Sequence, residues 1–221
     1  GIYDGRNAPY SERHKPHPIH FYGVTKLLAE DMIGRLDNDS LIVRPNLLFG
    51  WNHEDHRANP MTWSLLKLRE GKPFQVVNDV FNNPISGLSC ARAIWNAVQK
   101  GLRGIYHIGG RDRMSRYQFA LLVANAAGFP HYIVEPVGSE ALSNLTDRPP
   151  DSTFDVRKMK RDLAFNPPRA AEEIQALLRR QLVLVGVGRD GHAAHVLHDE
   201  VRSPLWCRAG REHLGNVGMV H

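Results

Sequence analysis

The feature that most restricts the fold is a long helical pattern followed at once by a very short apolar run. From about Ile19 to Leu36, Phe21, Val24, Leu28, Met32 and Leu36 recur near the helical period, and Leu27 and Ile33 widen the stripe. Asp37-Asn38-Asp39 interrupts the pattern, and Leu41-Ile42-Val43 follows. An unbroken apolar triplet, with no polar residue alternating, suits a strand buried on both faces, as parallel strands covered by helices are. An α/β fold with a parallel sheet is therefore expected. The helix should bury its apolar stripe and leave Tyr22 and Lys26 off it.

Tyr22 and Lys26 stand four residues apart, so they project from one helix face one turn from each other. An ammonium group near a phenol favours the phenolate, drawing a pKa of about 10 towards neutrality, and such a phenol can trade a proton with a carbonyl or hydroxyl during hydride transfer. The same spacing also describes an ordinary amphipathic pair, and the spacing alone does not separate the two readings.

The remaining chain reads as alternating elements. Arg6 to Pro18 is a polar loop punctuated by Pro9, Pro16 and Pro18. Trp51 to Asn59 is a loop, Pro60 to Arg69 a helix closed by Gly71, and Phe74 to Val77 a strand. A second helix runs from about Leu88 to Gln99 with Ala91, Ile94, Trp95 and Val98 on its stripe, and Ile105 to Ile108 is another strand. Ser115-Arg116-Tyr117-Gln118 fits a capping box opening a helix from Tyr117 to Ala127, ended by Gly128. Tyr132 to Val137 reads as a strand, residues 139 to 147 as a loop, and Phe154 to Leu163 and Ala170 to Leu182 as closing structure.

Four segments carry a resemblance: Ile2-Tyr3-Asp4-Gly5, Pro9-Tyr10-Ser11-Glu12, Tyr22-Gly23-Val24-Thr25-Lys26 and Leu41-Ile42-Val43-Arg44-Pro45-Asn46-Leu47-Leu48-Phe49-Gly50. In this order they resemble the extended short-chain dehydrogenase/reductases, most closely the branch holding dTDP-4-dehydrorhamnose reductase and the β regulatory subunit of methionine adenosyltransferase. The likeness continues through Gly104-Ile105-Tyr106-His107 and Arg148-Pro149-Pro150-Asp151, and so covers about residues 1 to 180.

The resemblance implies the C-terminal part of a Rossmann-type parallel sheet over residues 1–52, a smaller α/β substrate lobe with returning sheet elements over 53–182, and an unmatched tail over 183–221. It implies NAD(P)(H) as cofactor and a nucleotide sugar as substrate. In that role Tyr22 would donate a proton to the substrate oxygen and Lys26 would hold the nicotinamide ribose hydroxyls. Pro45 and Leu48 would line the nicotinamide, with Asn46 facing the substrate.

Arg44, at a strand's C-terminal end where open α/β sheets bind ligands, is a candidate for the substrate; a salt-bridged structural arginine is the alternative. Arg148 would contact the substrate's diphosphate, for which a guanidinium fork is suited, or would pin its loop. The reductase subgroup usually carries Ser-Trp where this chain has Asn46-Leu47, and the resembling family commonly has an acidic residue where this chain has Gly87.

Composition excludes several classes. No run approaches the roughly 18 apolar residues of a membrane span, and no targeting pattern opens the chain, so a cytoplasmic location is expected. The net charge of +5 and pI near 9.4 come from scattered basic residues, with Arg157, Lys158, Lys160 and Arg161 the dense cluster. A solvated helix face accounts for that cluster better than nucleic acid does. Cys90 and Cys207 make neither a disulfide framework nor a metal cluster.

Gly1-Ile2-Tyr3 reads as the middle of a strand, so the chain is expected to be a portion of a longer protein, missing the first Rossmann strands and a Ser or Thr for the substrate carbonyl. In the tail, strand-like Leu182-Val183-Leu184-Val185 precedes Gly186, Gly188 and Gly191, spelling a dinucleotide fingerprint that lacks the second strand and acidic residue it needs. His192, His195 and His198, spaced by three, precess around a helix, and no metal site is expected. Two functions follow from the resemblance: a sugar-nucleotide reductase or epimerase, inactive as this portion alone, and a non-catalytic NADP-binding regulatory subunit. The implied partners are a second copy of the chain or an adenosyltransferase catalytic subunit.

Overall fold

The computed structural model describes residues 1–36, 39–52, 56–141 and 148–187, the last seven of these as backbone only. Helix α1 (Phe21–Leu36) is followed by β1 (Leu41–Pro45) and the short β2 (Leu48–Phe49). Next come α2 (Pro60–Glu70), β3 (Phe74–Val77), β4 (Phe81–Asn82), β5 (Ile85–Ser86) and α3 (Gly87–Gln99). The chain continues through β6 (Gly104–Ile108), β7 (Met114–Ser115), α4 (Arg116–Ala126) and β8 (Val134–Val137), and closes with α5 (Arg157–Leu163) and α6 (Ala170–Val187). Gly1–Leu177 packs as one compact unit, and Leu178–His221 forms a second.

Three of the strand pairs are parallel: β1 with β6, β2 with β5 and β3 with β8; β4 and β7 run antiparallel. The α/β expectation holds, and the register Val43↔Tyr106 and Arg44↔His107 aligns the two strands end to end. Under β6, a core of Ile85, Cys90, Ala93, Ala97, Tyr106, Ile108, Met159 and Leu163 joins α3 to α5. A second layer packs α2 against α4 beside β3 and β8.

Local chemistry explains the helix ends. Asn59 Oδ1 accepts from the amides of Met61 and Thr62 while Thr62 Oγ1 accepts from Asn59 N, and Ser115 and Gln118 make the matching reciprocal pair at α4. At α1 the ring Nδ1 of His20 accepts from Gly23 N. Asp37 and Asn38, part of the expected stop, lie outside the described residues.

Four expectations are corrected. The α1 stripe is not buried: Phe21 is 82% exposed and Leu36 84%, with Val24, Leu28 and Met32 also exposed, and Gly23 is the one buried residue of the helix. Leu41, Ile42 and Val43 are half-buried, because among the described residues β1 has a strand partner on one edge, β6. In α3 the buried face is Ser89, Cys90, Ala93 and Ala97, while Trp95 (62% exposed) and Val98 turn outward. The small side chains let that helix approach the core closely. Finally, Leu182–Val185 is helical, as a continuation of α6. Cys207, Gly188, Gly191 and the three tail histidines lie outside the described residues.

Candidate active site

Tyr22 and Lys26 share one exposed face of α1, and the Lys26 Nζ lies 5.4 Å from the Tyr22 ring centroid. Tyr22 is 62% exposed. Two contacts fix its helix turn: Thr25 Oγ1 donates to Tyr22 O at 2.8 Å, and Gly23 lies directly against the Gly1 carbonyl. A Cβ at position 23 would collide with that carbonyl oxygen, so only glycine permits the approach. Glu30 lies one further four-residue step along the same helix, and sequence reasoning missed it although the spacing continues the Tyr22 to Lys26 row.

Glu30 reaches β1. Arg44 Nε donates to Glu30 Oε1 at 2.9 Å, Arg44 Nη2 pairs with Glu30 Oε2, and Arg44 Nη1 donates to Tyr3 Oη at 2.8 Å. Arg44 is 8% exposed. Tyr3 Oη lies 3.1 Å from His107 Nε2, and His107 Nδ1 lies 3.0 Å from the Tyr10 carbonyl. A neutral imidazole carrying its proton on Nδ1 satisfies both contacts, donating to Tyr10 and accepting from Tyr3. Burial pushes the Tyr3 phenol up to about 12 and holds His107 down at about 4. For Tyr3 the next cause is Arg44's neighbouring charge, which lowers; for His107 it is the hydrogen bond to the Tyr10 carbonyl, which raises, followed by Arg44's charge, which lowers. Tyr3, Tyr10, Phe154 and His107 stack or meet edge to face around this network.

The Tyr10 hydroxyl donates to Asp4 Oδ1 at 2.6 Å and accepts from the amides of Gly5 and Asn7, and Glu12 accepts from His107 N. These contacts tie the N-terminal loop to the end of β6. The same loop meets the late Arg-Pro segment: Gly5, at φ +86°, packs against Pro149 and Pro150. A side chain there would be strained by both the dihedral and the prolines.

Asn46, just past β1, spends its amide internally. Its Oδ1 accepts from Leu47 N and Asn83 N, and its Nδ2 donates to Ser152 O at 2.7 Å. Pro45 and Leu48 are exposed on either side of it. Asn46 is thereby joined to the strand-like segment that follows Arg148. Arg148 itself is exposed and has no ion pair among the described residues. The structure thus gathers Tyr22 with Lys26, Arg44 with Glu30, and Asn46 with the stretch after Arg148.

Beyond these, Glu173 of α6 is buried at the start of α3, accepting from Ser86 N, Ser86 Oγ and Ser89 Oγ. A carboxylate from an element far along the chain thus lies beside Gly87, where the resemblance leads to the expectation of an acidic residue. Among the described residues no cluster of metal-ligating side chains occurs, and no helix is long and apolar enough to cross a membrane.

Comparison with known proteins places this arrangement. Residues 1–183 match the family described as RmlD substrate binding domain. The spore coat polysaccharide biosynthesis protein SpsK of Bacillus subtilis (strain 168) is 27% identical over 182 residues, covering 81% of this chain and 62% of that protein. Methionine adenosyltransferase 2 subunit beta of Danio rerio is 25% identical over 166 residues, covering 72% of this chain and 51% of its own. The crystal structure of dTDP-4-dehydrorhamnose reductase from Bacillus anthracis str. Ames in complex with NADP matches with a TM-score of 0.71 at 25% identity, over 81% of this chain and 62% of that one. The chain therefore spans between 51% and 62% of these relatives' lengths. Since the family match runs from residue 1, ahead of Tyr3, to residue 183 within α6, the chain belongs to the RmlD substrate-binding-domain family of Rossmann-type, sugar-nucleotide reductase-like proteins.

Proposed function

We propose that the chain provides the proton-transfer and sugar-nucleotide-binding parts of an NAD(P)(H)-dependent reductase of nucleotide sugars. The observation that carries this reading is the exposed Tyr22 and Lys26 pair, with the ammonium held 5.4 Å from the phenol ring centroid. A bound nicotinamide supplies the hydride. Tyr22 Oη gives its proton to the substrate carbonyl oxygen as that oxygen becomes a hydroxyl, and Lys26 offsets the negative charge left on the phenol. Arg44 and Asn46 act by holding the Pro45 to Leu48 segment, since their polar atoms are occupied within the protein. Arg148 faces the substrate's diphosphate.

The polar tips of Tyr22 and Lys26 fit the hydroxyl-rich ribose at the nicotinamide end. The pyrophosphate end needs backbone amides of a glycine-rich turn at a helix N-terminus, and none of the described strand-to-helix turns is of that kind. The chain alone is therefore expected to bind NADH and NADPH weakly. On the full-length gene product, Tyr22→Phe should lower turnover of a dTDP-4-keto sugar by about 10² to 10⁴ while leaving nucleotide-sugar affinity in place. Turnover within a few-fold of the unaltered protein removes Tyr22 from the chemistry.

The similarity to the adenosyltransferase β-subunit, together with Asn46-Leu47 in the substrate-facing segment, favours a second reading as a non-catalytic NADP-binding subunit. The reductase reading goes with a homodimer, and the subunit reading with an adenosyltransferase catalytic partner. Copurification with such a catalytic subunit, and no reductase activity to lose, selects the second.

A further inference from the structure

Along α1, Lys26 has one acidic residue within a helical turn of it: Glu30, four positions on. Residues four apart on a helix are neighbours, and a lysine and a glutamate at that spacing ordinarily attract each other. One position further the rule is followed, since Asp31 pairs with Arg35 across the same interval at 2.8 Å. Glu30 departs from it. Both of its oxygens are taken by Arg44 of β1, Oε1 from Nε at 2.9 Å and Oε2 from Nε at 3.1 Å and also from Nη2. Lys26 has no ion pair among the described residues, and its ammonium lies towards Tyr22, 5.4 Å from the ring centroid.

The competition for Glu30 favours Arg44 on three counts. Its guanidinium is buried and already fixed from behind, with Nη1 donating to Tyr3 Oη at 2.8 Å and His107 Nε2 at 3.3 Å. A fork that donates to both oxygens of one carboxylate is stronger than the single contact of an ammonium, and the Glu30 side chain, 16% exposed, is little screened by water. Lysine on the N-terminal side of glutamate is also the weaker of the two helical orders.

We infer that Arg44 is a positioning residue for Lys26: by drawing Glu30 off the Tyr22 and Lys26 row and onto β1, it keeps the Lys26 ammonium unpaired and available to the phenol and to the ribose hydroxyls of a nicotinamide cofactor. Without Arg44, the released carboxylate bonds Lys26 and competes with those hydroxyls. A purely mechanical tie between α1 and β1 fails equally when either partner is removed. The guarding role fails only when Arg44 is lost and Glu30 remains. The inference rests on the reading of Lys26 given above and gives Arg44 a task besides holding the segment that follows it.

The test is the affinity of the full-length gene product for NADPH, followed by fluorescence, in Lys26→Met, Arg44→Gln, Glu30→Gln and the double variant of the last two, with the melting midpoint of each. The three variants that break the buried pair should all melt lower. Arg44→Gln should bind NADPH about two- to five-fold more weakly, the modest scale of a helix-face ion pair. Adding Glu30→Gln to it should recover at least half of that loss, although the tie to β1 is still absent, and Glu30→Gln alone should not weaken binding. If Lys26→Met binds NADPH as the unaltered protein does, the Lys26 reading fails and the inference with it. If Lys26→Met weakens binding and Arg44→Gln does not, that reading stands and the inference alone fails. A double variant as weak as Arg44→Gln makes the pair a mechanical tie and overturns the inference. Should Arg44→Gln not fold, Glu30→Gln decides by itself: unweakened binding at a lower midpoint supports the inference, and weakened binding overturns it.

Discussion

Arg44 and Arg116 are two arginines with buried guanidinium nitrogens and opposite surroundings. Arg44 has a carboxylate, a phenol and an imidazole around it, each in turn hydrogen-bonded, so its charge is neutralised inside the protein. Arg116 has a second arginine near it and an Nε with no partner. The difference teaches how to read a buried cation. When its partners come from the protein it holds elements together, as Arg44 holds α1, β1 and the N-terminal loop; Arg116 makes no such tie through its Nε.

The largest effect expected from this comparison is on stability. Arg44→Met leaves Glu30 and Tyr3 without their donor and should cost about 3 to 5 kcal/mol in urea unfolding, the usual loss on breaking one side of a buried ion pair. A loss below about 1 kcal/mol would break the comparison, since Arg44 would then be no better anchored than Arg116.

The second effect is a pH dependence. His107 is fully buried and held at about 4 against an ordinary value of 6.5. Its folded value is the lower one, so the unfolded chain takes up the proton first. Stability is therefore fully present above pH 6.5 and is lost as the pH falls from 6.5 towards 4, by on the order of 3 kcal/mol. The groups facing it are Tyr3, the Tyr10 carbonyl, Arg44, Glu30, Lys158 and Glu12, and Arg44's fixed positive charge opposes protonation. His107→Gln should flatten this part of the unfolding profile, and an unchanged slope would assign it to other groups.

A smaller effect is expected at Glu173, a third buried charge, matched by hydroxyls and an amide instead of by an ion. Glu173→Gln keeps the shape but weakens charge-assisted hydrogen bonds to Ser86 and Ser89, for a loss of about 1 to 2 kcal/mol read from the melting midpoint. The smallest change of all should come from ending the chain after Leu182. The compact unit runs from Gly1 to Leu177, so its melting midpoint should hardly move, and a large drop would show that the tail supports the core.

How much of this was legible in the sequence depends on the range of the interaction. The Ser115 cap, Gly71 closing α2, and the Phe74–Val77 strand follow from residues within four positions of each other, and were readable. The Tyr22 and Lys26 pair was readable for the same reason. Glu30 bonding Arg44, 14 residues away, and Glu173 bonding Ser86, 87 residues away, left no local trace. Nor did the missing partners of Arg116, because an unsatisfied group is defined by everything that folds around it.

The sequence by itself determined the alternation of helices and strands, the parallel character of the sheet segments and the family, because backbone propensity, capping and motif spacing are local properties. Tertiary structure decided which apolar faces found cover. The stripe of α1 and the Trp95 face of α3 are as periodic as any buried stripe, yet they are exposed, while Cys90, Ala93 and Ala97 are buried. Periodicity marks the faces a helix can bury, and burial follows only where another element comes close enough to exclude water. The same geometry separated Arg44 from Arg116: the residue type is identical, and what differs is which partners the fold carried to each.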